Sequence, residues 1–435
     1  MKLAVVGGGS TYTPELVDGI ARLREELPVS EIALIDPDAA RLDLVAGVSR
    51  RMLAHAGHPA RVLTTSSVAE GVAGARAVLF QLRVGGQAAR EVDETLPLRC
   101  GCVGQETTGA GGLAKALRTV PLVLELAESV REHAPQAWIV DFTNPVGIVT
   151  RALLDAGHRA IGLCNVAIGF QRRFAAWLGV EPARISLGHA GLNHLTWERS
   201  VHLDGEDVLP ELLRAHGQEI ADSLGLRLGL LERLGVVPSY YLRYFYAHDA
   251  VVREQRAKPS RAAEVAAMER RLLDLYADPA VVTKPELLSE RGGAFYSEAA
   301  VALVAALLGD GPGPASAQAV PQAVPQAVPQ VVNVRNAGTL PFLPDEAVIE
   351  VPAAITRDGA VPLPVPPVEP LYAGLIANVS AYETLALEAA LHGGADRVRD
   401  ALLAHPLIGQ DETAEELTGL LLAANRGFLP WAVRR

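Results

Sequence analysis

Cysteine is scarce: Cys100, Cys102 and Cys164 are the only three in 435 residues. So sparse a set builds no disulfide framework, and a reducing, cytoplasmic setting is expected. Long apolar runs are missing too. None reaches membrane-spanning length, and no signal peptide is expected, because strand-like sequence begins at residue 2. Positive charge is in deficit, with 39 Lys and Arg against 50 Asp and Glu and a net charge of −11. That balance disfavours nucleic acid and anionic membranes as partners, and no DNA-binding motif or basic stripe offsets it. The remaining composition is globular, 49% hydrophobic against 20% charged. A chain this long exceeds the size of a single core, so two domains are expected.

The most informative stretch is Met1 to Asp36. Lys2-Leu-Ala-Val-Val6 is an apolar run stopped by Gly7-Gly8-Gly9-Ser10, which predicts a buried strand entering a tight turn. Thr13 suits an N-cap and Pro14 the first helical position. Leu16, Val17, Ile20, Leu23 and Leu27 then share one helical face. A second apolar run, Glu31 to Ile35, ends in Asp36. Strand, glycine turn, helix, strand and acid compose a dinucleotide-binding βαβ unit. Its glycines let backbone approach a pyrophosphate, and Asp36 accepts from a ribose hydroxyl, favouring NAD over NADP. Tyr12 occupies the place of the fingerprint's third glycine, so helix and strand must pack closely by another route. An ordinary strand–turn–helix is the plainer alternative.

Helical periodicity follows over Ala39–His55. Ala77 to Arg83 is expected as the third strand, Gly104 to Gly112 as a glycine-rich loop, and Leu113–His133 as a helix. Ala137 to Asp141 and Ala160 to Leu163 are further strands, with the turn Thr143-Asn-Pro145 after the first. This alternation predicts an α/β fold: a Rossmann-like, doubly wound parallel sheet over residues 1–165, followed by an α+β substrate and metal domain over 166–435. Arg83, Asn144 and Cys164 fall at strand C-terminal ends, where such folds place their sites. The second part reads as the helix Phe170–Leu178, strand and loop over Arg184 to Trp197, and a hairpin over Val201–Val208. Helical stretches are expected around Leu209–Leu234, Ser260–Tyr276, Ala294–Leu308 and Leu371–Leu391. Three tandem Ala-Val-Pro-Gln copies, Ala319 to Gln330, predict an exposed extended loop near 310–330, too few for a solenoid.

Thiol and imidazole together suit a borderline transition metal, which makes Cys164 and His194 candidate ligands. Packing is the competing role for each, and more strongly for Cys100 and Cys102. His189 is a weaker ligand candidate. Tyr240, Tyr241, Tyr244 and Tyr246 beside Arg243 would ordinarily form a helix core face, though a tyrosine near a cation can serve as a base. Arg83, Arg90 and Arg261 are candidate anion binders.

Val5-Val-Gly-Gly-Gly-Ser-Thr-Tyr-Thr-Pro14, Leu82-Arg-Val-Gly-Gly86, Gly104-Gln-Glu-Thr-Thr-Gly109, Thr143-Asn-Pro-Val-Gly147, Gly162-Leu-Cys-Asn165 and Gly191-Leu-Asn-His194 together resemble glycoside hydrolase family 4. Tyr241-Leu-Arg-Tyr244, Arg261 and Arg291 to Glu298 continue the likeness, so it runs in order from residue 1 to about 390. Asn165 after the cysteine resembles the 6-phospho-β-glucosidase branch; Ala167 in place of that branch's proline and the Ala-Val-Pro-Gln copies depart from it. The family is an NAD-dependent exception to two-carboxylate glycoside hydrolysis.

The resemblance implies NAD held by Gly7, Gly8, Gly9, Ser10, Thr11, Asp36 and Arg41, and Mn²⁺ or another divalent metal held by Cys164 and His194. It further implies hydride removal from C3 of the sugar, C2 deprotonation by Tyr241, elimination at C1, water addition and hydride return. Glu106 would modulate Tyr241. Asn165 cannot donate a proton as a carboxylic acid does, leaving aglycone protonation to water. Arg83, Arg90, Asn144, Asn165 and Arg261 would bind a phosphorylated disaccharide or β-glucoside. A dimer or tetramer is expected. The rival readings are another glycosidase of the family, a malate- or lactate-type dehydrogenase, and a non-catalytic NAD-responsive regulator.

Overall fold

The computed structural model describes residues 1–293, 295–309 and 328–432. Its organising element is one mixed sheet. The strands are β1 (Lys2–Val6), β2 (Glu31–Ile35), β3 (Arg61–Thr65), β4 (Ala77–Phe80), β5 (Trp138–Asp141) and β6 (Ala160–Gly162), then β7 (Ile185–Leu192), β8 (Leu195–Leu203), β9 (Glu206–Asp207), β10 (Val237–Pro238), β11 (Val328–Arg335), β12 (Val348–Thr356) and β13 (Gly359–Pro362). The first six run parallel in the order β3-β2-β1-β4-β5-β6, that of a doubly wound dinucleotide fold. Burial explains their sequences. Every residue of β4 and β5 is buried, as helices on both faces require, so each is an unbroken apolar run.

Helices Thr13–Arg22, Ala39–His55 and Tyr296–Leu308 group on one face, while Gly109–His133, Val146–Asp155 and Pro370–His392 group on the other. The helix Tyr296–Leu308, late in the chain, therefore covers the early sheet: a Cβ on Gly19 would lie 2.5 Å from that of Ser297. The antiparallel half joins the parallel half without a break, through the pairs Asn333–Gly162 and Glu350–Gly191.

Several boundaries differ from expectation for local reasons. The third strand is Arg61–Thr65, an edge strand in which only Val62 is buried, so it carries no apolar run. The strand expected to reach Arg83 stops at Phe80. Thr13 lies inside its helix instead of capping it; Tyr12 precedes the first turn, and the Thr13 hydroxyl donates to Gly8 O at 2.9 Å and accepts from Gln81. The helix expected from Leu113 begins at Gly109, because Gly111 and Gly112 pass so close to the backbone of Asp93, Gln105 and Thr107 that no Cβ fits. Cys100 ends a short 3₁₀ helix, Pro97–Cys100. Gly225, at φ +64°, divides the expected helix Leu209–Leu234 in two. Strand and loop over Arg184 to Trp197 resolve into the hairpin β7–β8, turning at Asn193-His194. The tyrosines over 240–246 sit in a 3₁₀ turn and one short helix, not on a long amphipathic face. The last Ala-Val-Pro-Gln copy is partly strand: Val328, Pro329 and Gln330 pair with Ile355, Ala354 and Ala353. Residues 310–327, the rest of the expected loop, lie outside the described residues.

Candidate active site at the strand C-terminal ends

At the switch point between β1 and β4 opens a cleft of about 630 Å³. The glycines act there by leaving room. A Cβ on Gly7 would meet Gln81 O at 2.7 Å, on Gly8 Ile35 N at 2.8 Å, and on Gly9 Asp36 Cγ at 2.8 Å. Gly8 thus lets the loop lie directly against β2. The amides of Gly7 and Gly8 both donate to Ile35 O at 2.9 Å, so they hold the loop to β2. Asp36 accepts from Gly9 N and from Asp38 N, each at 3.0 Å, and faces the cleft with Gly7, Gly9, Ser10 and Arg41. Gly8 and Thr11 lie behind that surface: Thr11 is fully buried and its carbonyl accepts from Tyr276 at 2.6 Å.

Glu269 is a buried carboxylate that sequence reasoning missed. It accepts from Arg41 at 3.2 Å, Gln87 at 3.0 Å and Arg291 at 2.9 Å, which ties the loop at 291–293 to the nucleotide side. Gly9→Ala should push Asp36 from its place and weaken NAD⁺ binding by roughly tenfold or more, through the lost charge-assisted hydrogen bond. Calorimetric titration checks this; unchanged affinity would show that Asp36 does not read the ribose.

A second cavity of about 500 Å³ shares Arg90, Glu106, Asn144 and Tyr241 with the first. Glu106 is its hub: Lys115 lies 2.5 Å and Arg90 3.1 Å from its carboxylate, and Arg83 also pairs with it. Burial opposes its ionisation, but Lys115, Arg83 and Arg90 together hold its carboxyl well below the usual range. Lys115, also missed from sequence, is brought down to about 8 by burial, with Glu106 pulling the other way. Arg90 also bonds Glu94 at 2.7 Å. Three cations against Glu106 and Glu94 leave this corner one positive charge in excess. Asn144 lines both cavities, and its buried Oδ1 has no hydrogen-bond partner among the described residues. Arg261 stands apart: it lines only the outer cavity, paired with Glu264 at 2.9 Å.

Tyr241 and His194 lie face to face, ring centroids 3.6 Å apart and planes within 9°. His194 holds the hairpin turn at φ +64°, and Thr107 Oγ1 sits 2.9 Å from its Nδ1, leaving Nε2 for a ligand. Burial pushes its imidazole down to about 4, so the ring is neutral near pH 7. The Cys164 thiol is pushed up by burial and by Glu350, while Asn193 and the amides of Val166 and Asn165 bond its sulfur. Burial pushes the Tyr241 phenol well up, Cys164 and Tyr244 add to this, and Arg90 draws it back.

Asn165 and Tyr241 line the main cleft; Cys164 faces a separate cavity beside Leu163 and Ala167, and His194 a small space beside Thr107. Among the described residues no three His, Cys, Asp or Glu side chains group as a metal cage. A thiol and a neutral imidazole flanking Tyr241 fit a borderline divalent ion whose remaining positions come from other oxygens.

A family model described as "Family 4 glycosyl hydrolase" matches residues 2–180, and one for that family's C-terminal domain matches 189–408. A probable 6-phospho-beta-glucosidase of Bacillus subtilis is 35% identical, covering 99% of this chain and 97% of its own. The phospho-alpha-glucosidase PagL of Clostridium acetobutylicum is 28% identical over 98% of both chains. The 6-phospho-beta glucosidase of Thermotoga maritima, solved with manganese, NAD⁺ and glucose-6-phosphate, is 33% identical. It superposes with a TM-score of 0.90, covering 98% of this chain and 99% of the other. With both of its parts matched over most of the length, this chain belongs to family 4 of the glycosyl hydrolases.

Proposed function

We propose that this enzyme hydrolyses 6-phospho-β-glucosides with NAD⁺ and a divalent metal, Mn²⁺ in the first instance, as cofactors. The observation that carries the reading is the meeting of two sites at one cleft: the Gly7–Asp36 nucleotide side and Tyr241 stacked on His194. The Bacillus and Thermotoga relatives bear the 6-phospho-β-glucosidase name at 33–35% identity, against 28% for the phospho-α-glucosidase. In this reading residues 1–165 serve the nucleotide and supply Cys164, while 166–435 supply His194, the base and part of the outer substrate wall.

When bound, the nicotinamide supplies a reversible hydride acceptor for C3 of the sugar, and the divalent ion supplies Lewis acidity to neighbouring oxygens and positive charge near Tyr241. Cys164 and His194 hold that ion. Tyr241 takes the proton from C2, made acidic by the ketone at C3. Glu106 acts electrostatically: fixed as an anion among Lys115, Arg83 and Arg90, it orients those cations toward the substrate's own charge. Asn144 Oδ1 is an acceptor for a sugar hydroxyl. Asn165 binds substrate and has no acidic proton to give, so water protonates the departing aglycone. Arg261 contributes at the outer cavity.

Chromogenic glucosides, phosphorylated and not, α and β, supplied with NAD⁺ and Mn²⁺, test the assignment; cleavage confined to α-linked substrates would place the enzyme in another branch. Exhaustive chelation is expected to abolish turnover and Mn²⁺ to restore it. Cys164→Ser and His194→Ala should each prevent that rescue, and full activity of either after chelation would remove both from the mechanism.

A further inference from the structure

Beneath the proposed metal ligands runs a file of buried charge that the chemistry above does not use. His189 on β7 lies between two carboxylates: its Nδ1 is 2.6 Å from Glu198 Oε1 on β8, and its Nε2 is 3.0 Å from Glu350 Oε1 on β12. The side chains of His189 and Glu198 are 0% exposed and that of Glu350 is 2%. None of the three lines the main cleft or the outer cavity. An ionised carboxylate only accepts, so both ring nitrogens must donate and the ring is an imidazolium. Consistent with this, Glu198 and Glu350 overcome the effect of burial and hold His189 up at about 10. Two carboxylates against one imidazolium leave a negative charge in excess within a dry interior, and such a charge is costly without compensation.

The second oxygen of Glu350 meets two neutral amides. Asn193 donates to Oε2 at 2.8 Å and Asn333 at 2.9 Å. Glu198 Oε2 has no hydrogen-bond partner among the described residues. Asn193 also lies near enough to the Cys164 thiol to favour its ionised form and immediately precedes His194, so one amide stands between Glu350 and both proposed ligands. The field of Glu350 reaches both Cys164 and His194.

We propose that Glu350, locked by His189 and Glu198, is a positioning residue for the divalent cation: it orients the Asn193–His194 turn and the Cys164 sulfur, and its excess charge strengthens cation binding. The inference rests on the reading that Cys164 and His194 hold the metal. Partners one layer behind metal ligands typically alter affinity by about ten- to a hundredfold when removed.

The test is Mn²⁺ titration of the full chain, followed by the electron paramagnetic resonance signal of the free ion. NAD⁺ affinity serves as the measure of an intact fold. Glu350→Gln is expected to raise the Mn²⁺ Kd by about ten- to a hundredfold and leave the NAD⁺ Kd unchanged. Glu198→Gln also removes the excess charge while altering one hydrogen bond, so it should shift the Mn²⁺ Kd the same way, by less. It carries the test alone should Glu350→Gln lose NAD⁺ binding. A Mn²⁺ Kd within about twofold of the parent in these variants, with Cys164→Ser still abolishing binding, would overturn the proposal and spare the ligand assignment. Parental Mn²⁺ binding by both Cys164→Ser and His194→Ala would overturn the ligand assignment, and this proposal with it.

Discussion

Tyr241→Phe is expected to lower kcat by roughly a thousandfold, the middle of the range for a positioned general base. The phenol lies in the wall shared by the nucleotide cleft and the outer cavity, and its ring is held flat on His194. Phenylalanine keeps that stack and removes only the oxygen proposed to take the C2 proton. The residues proposed to hold the nucleotide, Gly7, Gly9, Ser10, Asp36 and Arg41, are all retained. Mn²⁺ and NAD⁺ affinities measured beside kcat should therefore stay near parental values. A variant with parental kcat would show that another group carries the proton.

The second large effect concerns the phosphate. The chain is acidic overall, at −11, yet the corner where the cavities join holds Arg83, Arg90 and Lys115 against Glu106 and Glu94. Pre-formed excess positive charge there favours an anionic sugar. A 6-phospho-β-glucoside should be cleaved with kcat/KM at least about a hundredfold above its unphosphorylated counterpart, roughly 2.7 kcal/mol of transition-state binding. Raising ionic strength should narrow the ratio. Equal rates on the two substrates would reject the phosphoglucosidase assignment and leave family membership untouched.

The parallel half of the fold was legible because its strands are covered on both faces. β1, β2 and β4 read as apolar runs ending in glycine, acid or polar turn residues, and Asp36, Asn144 and Cys164 sit at strand ends as the alternation implies. The edge strand Arg61–Thr65 was not legible, since one buried side chain makes no pattern. The hairpin β7–β8 was blurred by His189 and Glu198: polar residues in a buried strand break the apolar run, and the second partner of His189, Glu350, is 161 positions away. The same holds for Lys115 and Glu269. A charge inside a helix looks solvated until the fold brings Glu106 to one and Arg41 and Arg291 to the other. His194 was legible as a candidate ligand and Tyr241 as one of four candidate tyrosines, but not as a pair, because their stacking joins a 3₁₀ turn to a hairpin 47 residues earlier in the chain.

The central claim is that hydrolysis proceeds through breakage of the C2–H bond, which two-carboxylate glycosidases leave intact because their charge develops at C1. The direct measurement is hydrolysis in D₂O with analysis of the released sugar by NMR or mass spectrometry. The account predicts deuterium at C2, although the net reaction is only addition of water, and predicts its loss in step with turnover in Tyr241→Phe. Product without label at C2, together with no kinetic isotope effect from deuterium placed at C2 or C3 of the substrate, would contradict it.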